Sequence, residues 1–539
     1  RWRTAQRLIS ALVYQRPARR DRGEPPRAGV GGLWRFGLSG DLPFVLLPLA
    51  EVRVEELLDL ALAAQSYARG RGLAFDLVLL NEHDDSYDQP LAEGIRRLVA
   101  ARHVEGWLDR DGGVHVVAGR TLSDGERATL YAAARVVLEP GRPVDEQLAE
   151  LADAPAPLPR LRPVRDVTAQ AGADGTDRRE RFDPDRLDYY NGHGGFEPSG
   201  TAYTLRVTPR DPTPAPWANV LANERFGTLV TESGAATTWC LNSGENRLTP
   251  WSNDPLRDPS GEALYLRDEE TAAVWSPTPL PAPPSPDAEY VVTHEAAATT
   301  FRHASHGLEQ TVRVHVPPDA TVKVVQVTLR DATGRPRRVT ATYAVDWVLG
   351  LDRAATAPYV RCSHDTEANA VLAVNPFHLE HPGRVAFLAS DRPVHGLTAD
   401  RGEFYGRGGR RRPAALGRIG LSGRVAGVAA PMTALQVHLD LPPSGEATTV
   451  FVLGQGADEA EARDLALRFA RPGAGLEEAR TRWDELLGQL QVSTPDPALD
   501  LLVNRWLLHQ VLACRFWGRT ATYQSSGAIG FRDQLQDSL

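Results

Sequence analysis

Sulfur is scarce in this 539-residue chain, which has three cysteines and one methionine. Cys240, Cys362 and Cys514 are far apart in sequence, which excludes a disulfide framework and any zinc-type spacing and makes a reducing compartment the simpler expectation. Long hydrophobic runs are also lacking. The apolar run Leu42 to Ala50 is interrupted by two prolines and falls far short of the roughly 20 residues that cross a bilayer. The arginine-rich start has no apolar core, so no signal peptide is expected. Basic blocks are missing too: 60 Lys and Arg stand against 69 Asp and Glu, a formal charge of −9. Nucleic acid and anionic membranes are therefore poor candidates for the main partner, because both are bound through clustered Lys and Arg.

A chain that is 42% hydrophobic and 24% charged has the composition of a globular protein with large cores, and its length predicts roughly three to four domains. Residues 1–152 alternate helical and strand patterns, including the buried-strand run AFDLVLLNE and a Ser123/Glu126 capping box, and predict a small α/β unit. Residues 153–181, rich in Pro, Ala, Gly, Asp and Arg, read as a linker. Residues 182–455 hold runs such as YVVTHE, TVRVHV and ALQVHLDL with period-two alternation and turn residues between them, predicting a large antiparallel sandwich. Helical periodicity returns over 456–495 and again from Asp496, where Leu499, Leu502, Val503, Trp506, Gln510, Ala513 and Trp517 lie on or near one stripe. An all-α region thus begins as the sequence ends. With Arg at position 1, Met432 as the sole methionine and the last residues following a dense motif, the chain reads as a fragment of a longer polypeptide.

Two segments are richer in polar, aromatic and glycine residues than packing requires. The first runs from Tyr189 to Asp254 and includes YYNGHGGF and NERFGTLVTESGAATTWCLNSGENRLTPWSNDP. Trp239 and Trp251 offer flat faces, while Asn242, Glu245, Asn246, Arg247, Asn253 and Asp254 offer donors and acceptors. Sugars need that mixture of stacking surface and paired polar groups, although core aromatics and turn-forming asparagines give the same composition. The second segment is YQSSGAIGFRDQLQDSL at 523–539. If Arg532 begins a helix, Gln536 lies one turn on, and Asp533 and Asp537 form a parallel pair able to grip neighbouring hydroxyls; a charge cluster satisfying the helix end is the plainer alternative. His303 and His306 would point to opposite faces of a strand, so no metal site is expected. The loop YGRGGRRR at 405–412 reads as a solvated basic turn, and Asp84, Asp85 and Asp88 as a solvated acidic patch.

The run at 223–255 followed by YQSSGAIGFRDQLQD resembles glycoside hydrolase family 94, inverting phosphorylases of β-linked glucosides, and within it the phosphorylase-like C-terminal part of cyclic β-1,2-glucan synthases; GLWRFGLSGDLPFVLL and GLAFDLVLLNE resemble the segment before the sandwich there. The resemblance implies a β-supersandwich at 182–455, linker helices at 456–495 and the start of an (α/α)6 barrel at 496–539. It implies that Arg532 and Asp537 hold hydroxyls of the non-reducing glucose, with Asp533 a third member and Gln536 on the same turn. It also implies a β-glucan substrate, inorganic phosphate as co-substrate, no other cofactor, a homodimer and a cytoplasmic setting, as part of a membrane-anchored synthase. An inverting phosphorylase needs one protein acid, because phosphate is already the nucleophile. In the family that acid belongs to a Trp-Asn-Asp motif, which this sequence lacks, so no catalytic residue is expected within it. A non-catalytic carbohydrate-binding or scaffolding module is the alternative, and a hydrolase would need a second carboxylate as base.

Overall fold

A computed structural model of the chain describes residues 2–14, 29–49, 55–82, 97, 99–101, 105–151, 158–161, 182–530, 532, 535 and 536. The N-terminal unit is a parallel sheet of four strands in the spatial order Val114–Ala118, Asp76–Asn81, Phe44–Leu49 and Val136–Val137. A parallel sheet needs crossover connections and cover on both faces. The helices Trp2–Tyr14, Glu55–Arg69 and Val144–Leu151 close one face over Val45, Leu47, Leu77 and Leu79. Leu33 and the helix Asp124–Ala133 close the other over Leu46, Val78 and Leu80. The Ser123/Glu126 capping box is formed in full. This unit docks on the sandwich through Phe377 and Tyr359: the Val30 amide donates to the Phe377 carbonyl at 3.2 Å and the Tyr359 hydroxyl to the Gly40 carbonyl at 3.1 Å.

The sandwich sets a ten-stranded antiparallel sheet against a five-stranded one, with a three-stranded sheet, Ala218–Ala222, Phe226–Thr231 and Ala236–Cys240, at one end. Alternation in sequence becomes alternation in burial: along Leu308–His315, Val312 and Val314 enter the core while Arg313 turns out. The Pro-rich stretch 276–289 is a loop between Val274–Trp275 and Tyr290–Glu295. Buried indoles have partners, Trp275 Nε1 donating to Gln310 Oε1 and Trp347 Nε1 to Thr433 Oγ1, both at 2.9 Å. An ionic network lies buried within the sandwich. The Lys323 ammonium donates to Glu262, which also accepts from Thr238 at 2.6 Å, Thr249 at 2.9 Å and Tyr343 at 2.5 Å. Burial opposes charge on both ends, yet the Lys323 cation and its neighbours hold the Glu262 carboxyl below its ordinary range.

The helices Glu459–Phe469 and Leu476–Leu487 follow the sandwich. From Pro497 a longer helical run continues, with i to i+5 winding over Leu502–Trp506 and Val511–Trp517. Such widened turns shift the side-chain register and recur at functional positions. The three cysteines form no disulfide. No helix among the described residues is long and apolar enough to cross a membrane.

Candidate functional site

The two segments singled out in sequence are joined by a set of hydrogen bonds. Arg247 donates from Nε to the Ser243 carbonyl at 3.1 Å, from Nη1 to that of Leu351 at 3.0 Å and from Nη2 to that of Ser525 at 2.6 Å. Ser525 Oγ donates to the Ser243 carbonyl at 2.9 Å, Trp251 Nε1 to the Ala521 carbonyl at 3.2 Å, and Arg519 Nη2 to the Leu241 carbonyl at 3.3 Å. The approach is close enough to demand glycine at two points. A Cβ on Gly244 would overlap the Ser526 carbonyl, and one on Gly527, whose φ is +63°, would overlap the Asn242 side-chain oxygen. The loop 241–251 therefore clamps residues 519–527, which lead directly into the Arg532 motif.

Several residues read as sugar contacts serve packing or this clamp instead. Trp239 is buried against Trp483, Leu487 and Ala513. Asn246 is wholly buried and donates to the Cys240 carbonyl and Gln455 Oε1, both at 2.9 Å. Asn242 and Asp254 accept from backbone amides two and three residues on, as turn residues do. Trp251 lies under the Arg247 guanidinium, 5.3 Å from its ring centre. Arg532 and Gln536 are helical and exposed, while Asp533 and Asp537, like Asp84, Asp85 and Asp88, lie outside the described residues. His303 stacks on Tyr290 and His306 on Trp275; among the described residues no group of three or more His, Cys, Asp or Glu could hold a metal.

The stacking surface lies nearby, in a cleft of about 780 Å³ between the sandwich and the helical run. Its aromatic lining is continuous from one to the other: Trp217 and Tyr203 are 6.1 Å apart, Tyr203 and Phe196 5.0 Å, and Phe196 and Trp506 5.4 Å, with exposed Tyr523 also on the rim. Polar groups punctuate it, among them Asn191, Asn219, His294, His509, Gln510 and Arg515. Asn191 Nδ2 donates to the Tyr203 hydroxyl at 3.1 Å. Glu232, buried below, accepts the Trp217 amide at 2.7 Å and the Thr213 hydroxyl; burial pushes its pKa up to about 7. His294 bonds Thr299 Oγ1 through Nδ1 at 3.0 Å, while its buried Nε2 has no partner among the described residues. Burial lowers the pKa of His294 and of His509 to about 4, so both rings are neutral at pH 7. Among the described residues lining the cleft there is no carboxylate. The arrangement can stack and hydrogen-bond a saccharide but offers no general acid or base pair.

Asn191, Phe196, Tyr203, Trp217 and Tyr523 fall within the two segments singled out in sequence, though Tyr203 and Trp217 are not named there; Trp506 is read only as part of a helical stripe, and His294 is not singled out. A signal existed for His294, which ends the inward-facing series Tyr290, Val292, His294 of an otherwise apolar strand face.

Comparison with known proteins agrees with the architecture. The profile of the glycosyl hydrolase 94 supersandwich domain matches residues 201–472, and that of the glycosyl hydrolase 94 superfamily catalytic domain matches 482–539. The chain is 33% identical over 99% of its length to the cyclic beta-(1,2)-glucan synthase NdvB of Rhizobium meliloti, of which it spans 19%. Over 64% of its length it is 26% identical to a 3-O-beta-D-glucopyranosyl-beta-D-glucuronide phosphorylase of Paenibacillus borealis and 25% identical to an N,N'-diacetylchitobiose phosphorylase of Vibrio furnissii, and it spans 44% of each.

Proposed function

The chain belongs to glycosyl hydrolase family 94, and from that premise we propose that it is the β-glucan-binding part of an enzyme that cleaves or transfers β-glucosyl units with inorganic phosphate. The observation that carries this reading is the aromatic cleft adjoining the clamped segment 519–527. Glucose rings stack on Trp217, Tyr203, Phe196 and Tyr523, while the cleft's amides and imidazoles bond their hydroxyls. Arg532, Asp533, Gln536 and Asp537 grip the glucose at the cleavage point, the clamp fixing the stretch 519–527 that precedes them in sequence. Phosphate attacks the anomeric carbon with inversion while one carboxylic acid protonates the leaving oxygen. That acid is not among the described residues of the cleft, and the sequence has no Trp-Asn-Asp motif; on this reading the chain on its own binds glucan without turning it over.

A non-catalytic binding module is the second reading, and the carboxylate-free lining favours it over hydrolysis by water. One experiment separates the readings. Glucose 1-phosphate release from β-1,2-glucans is assayed for this chain and for a longer protein that contains it. Release by the longer protein alone supports phosphorolysis with an external acid, release by neither supports the binding module, and equal release by both overturns the assignment of the acid.

A further inference from the structure

Trp217 stands at the sandwich end of the aromatic wall, and the chain that presents it has few bonds of its own. Residues 212–217, PTPAPW, include three prolines, which carry no amide hydrogen and cannot extend a sheet ladder; the strand Ala218–Ala222 starts only after them. Among the described residues, every hydrogen bond that 212–217 makes outside itself goes to Glu232. The Trp217 amide donates to Glu232 Oε2 at 2.7 Å, the Glu232 amide donates to the Trp217 carbonyl at 3.0 Å, and the Thr213 hydroxyl donates to Glu232 Oε1. In a regular antiparallel pair the Trp217 amide would go to the main-chain carbonyl opposite. Here the side chain takes it, and so reaches Thr213 as well.

Glu232 is itself held firmly. It is 5% exposed, and the residues on either side of it, Thr231 and Ser233, both donate their hydroxyls to Asp258 Oδ2 at 2.6 Å. The Leu280 amide donates to the Ser233 carbonyl at 2.8 Å, and Gly234, at φ +87°, lies where a Cβ would overlap the Thr278 side chain. Burying a carboxyl group is costly, yet what this one binds is not core but the stretch that carries a half-buried indole to the cleft. Edge-on rings bracket that indole, His193 at 5.6 Å and Tyr203 at 6.1 Å, so a shift of its backbone moves it relative to the rest of the wall. Taking the cleft as the glucan site, we propose that Glu232 is a positioning residue for glucan binding, fixing the backbone of Trp217 so that the indole serves as a stacking surface beside Tyr203 and Phe196.

The test is calorimetric titration of linear β-1,2-gluco-oligosaccharides into wild type, Glu232→Gln, Glu232→Asp, Glu232→Ala, Trp217→Ala and the double variant of Glu232→Ala with Trp217→Ala. Glutamine has the reach of glutamate: its oxygen accepts the Trp217 amide and its nitrogen donates to Thr213 Oγ1, whose proton can go to the Ala215 carbonyl at 2.8 Å. Aspartate keeps the charge but is one methylene short. Trp217→Ala is expected to weaken binding about three- to tenfold, Glu232→Asp and Glu232→Ala about two- to fivefold, and Glu232→Gln less than about twofold. In the Trp217→Ala background Glu232→Ala is expected to add nothing, because a residue that acts through the indole has no effect once the indole is gone. If Glu232→Ala fails to fold, Glu232→Asp, alone and with Trp217→Ala, carries the comparison. No binding by wild type, or unchanged binding by Trp217→Ala, overturns the reading of the cleft and the role of Glu232 together. A loss in Trp217→Ala accompanied by wild-type affinity in Glu232→Asp, by as large a loss in Glu232→Gln as in Glu232→Ala, or by the same loss from the Glu232 substitution in both backgrounds overturns the role of Glu232 alone.

Discussion

Inside the sandwich, the side chains of Lys323, Glu262, Tyr343 and the threonines 228, 238 and 249 bond chiefly to one another, the Thr228 hydroxyl also donating to the Thr237 carbonyl at 3.0 Å. At the cleft, His294 is just as buried but keeps Nε2 without a partner, next to an aromatic wall whose outermost member, Tyr523, is 72% exposed. Both regions bury polar atoms. In the first the polar atoms satisfy each other and serve the fold. In the second, capacity is left over at a concave surface, which is how a site for a polyhydroxylated ligand differs from a core.

The contrast is most severely tested by Lys323→Ala. Removing the cation leaves Glu262 charged and buried, and a loss of about 3–5 kcal/mol is expected in chemical denaturation, whereas replacing both partners by apolar residues of similar volume costs far less. Arg247→Ala comes next. It removes three bonds to carbonyls, two of them linking the loop to distant segments, and should loosen the 519–527 segment by about 1.5–3 kcal/mol, read as hydrogen exchange at its amides that is about ten- to a hundredfold faster. Tyr523→Ala should leave stability within about 0.5 kcal/mol while weakening binding of β-1,2-gluco-oligosaccharides by about two- to tenfold; unchanged binding would remove Tyr523 from the site.

The smallest effect is one of pH. The folded His294 and His509 rings stay neutral down to about pH 4, whereas unfolded histidine protonates near 6.5. Stability from these rings is therefore present above about 6.5 and is lost as pH falls toward 4, at less than about 1 kcal/mol per ring between pH 7 and 6. His294→Gln should flatten that part of the stability profile. An unchanged slope would mean that the ring is not desolvated.

Period-two runs such as TVRVHV and the Ser123/Glu126 box were enough to read the sandwich and a helix start, because burial on one face and capping are local properties. The parallel order of the N-terminal strands was not legible, since a buried apolar run such as VLL in Phe44–Leu49 is silent about its neighbours. Trp239 and Asn246 looked like sugar ligands because composition does not separate an indole in a core from one on a cleft; only the packing of Trp483 against Trp239 does. The clamp was foreshadowed by the glycines, but why Gly244 and Gly527 must be glycine emerges only when Asn242 and Ser526 are seen against them.

The account rests on the cleft and the clamped C-terminal segment acting together on one glucan chain. Calorimetric titration of linear β-1,2-gluco-oligosaccharides into wild type and Arg532→Ala tests this most directly. Saturable binding that weakens about ten- to a hundredfold in the variant is the expected result. Absence of saturable binding by wild type, or equal affinity in the two proteins, would contradict it.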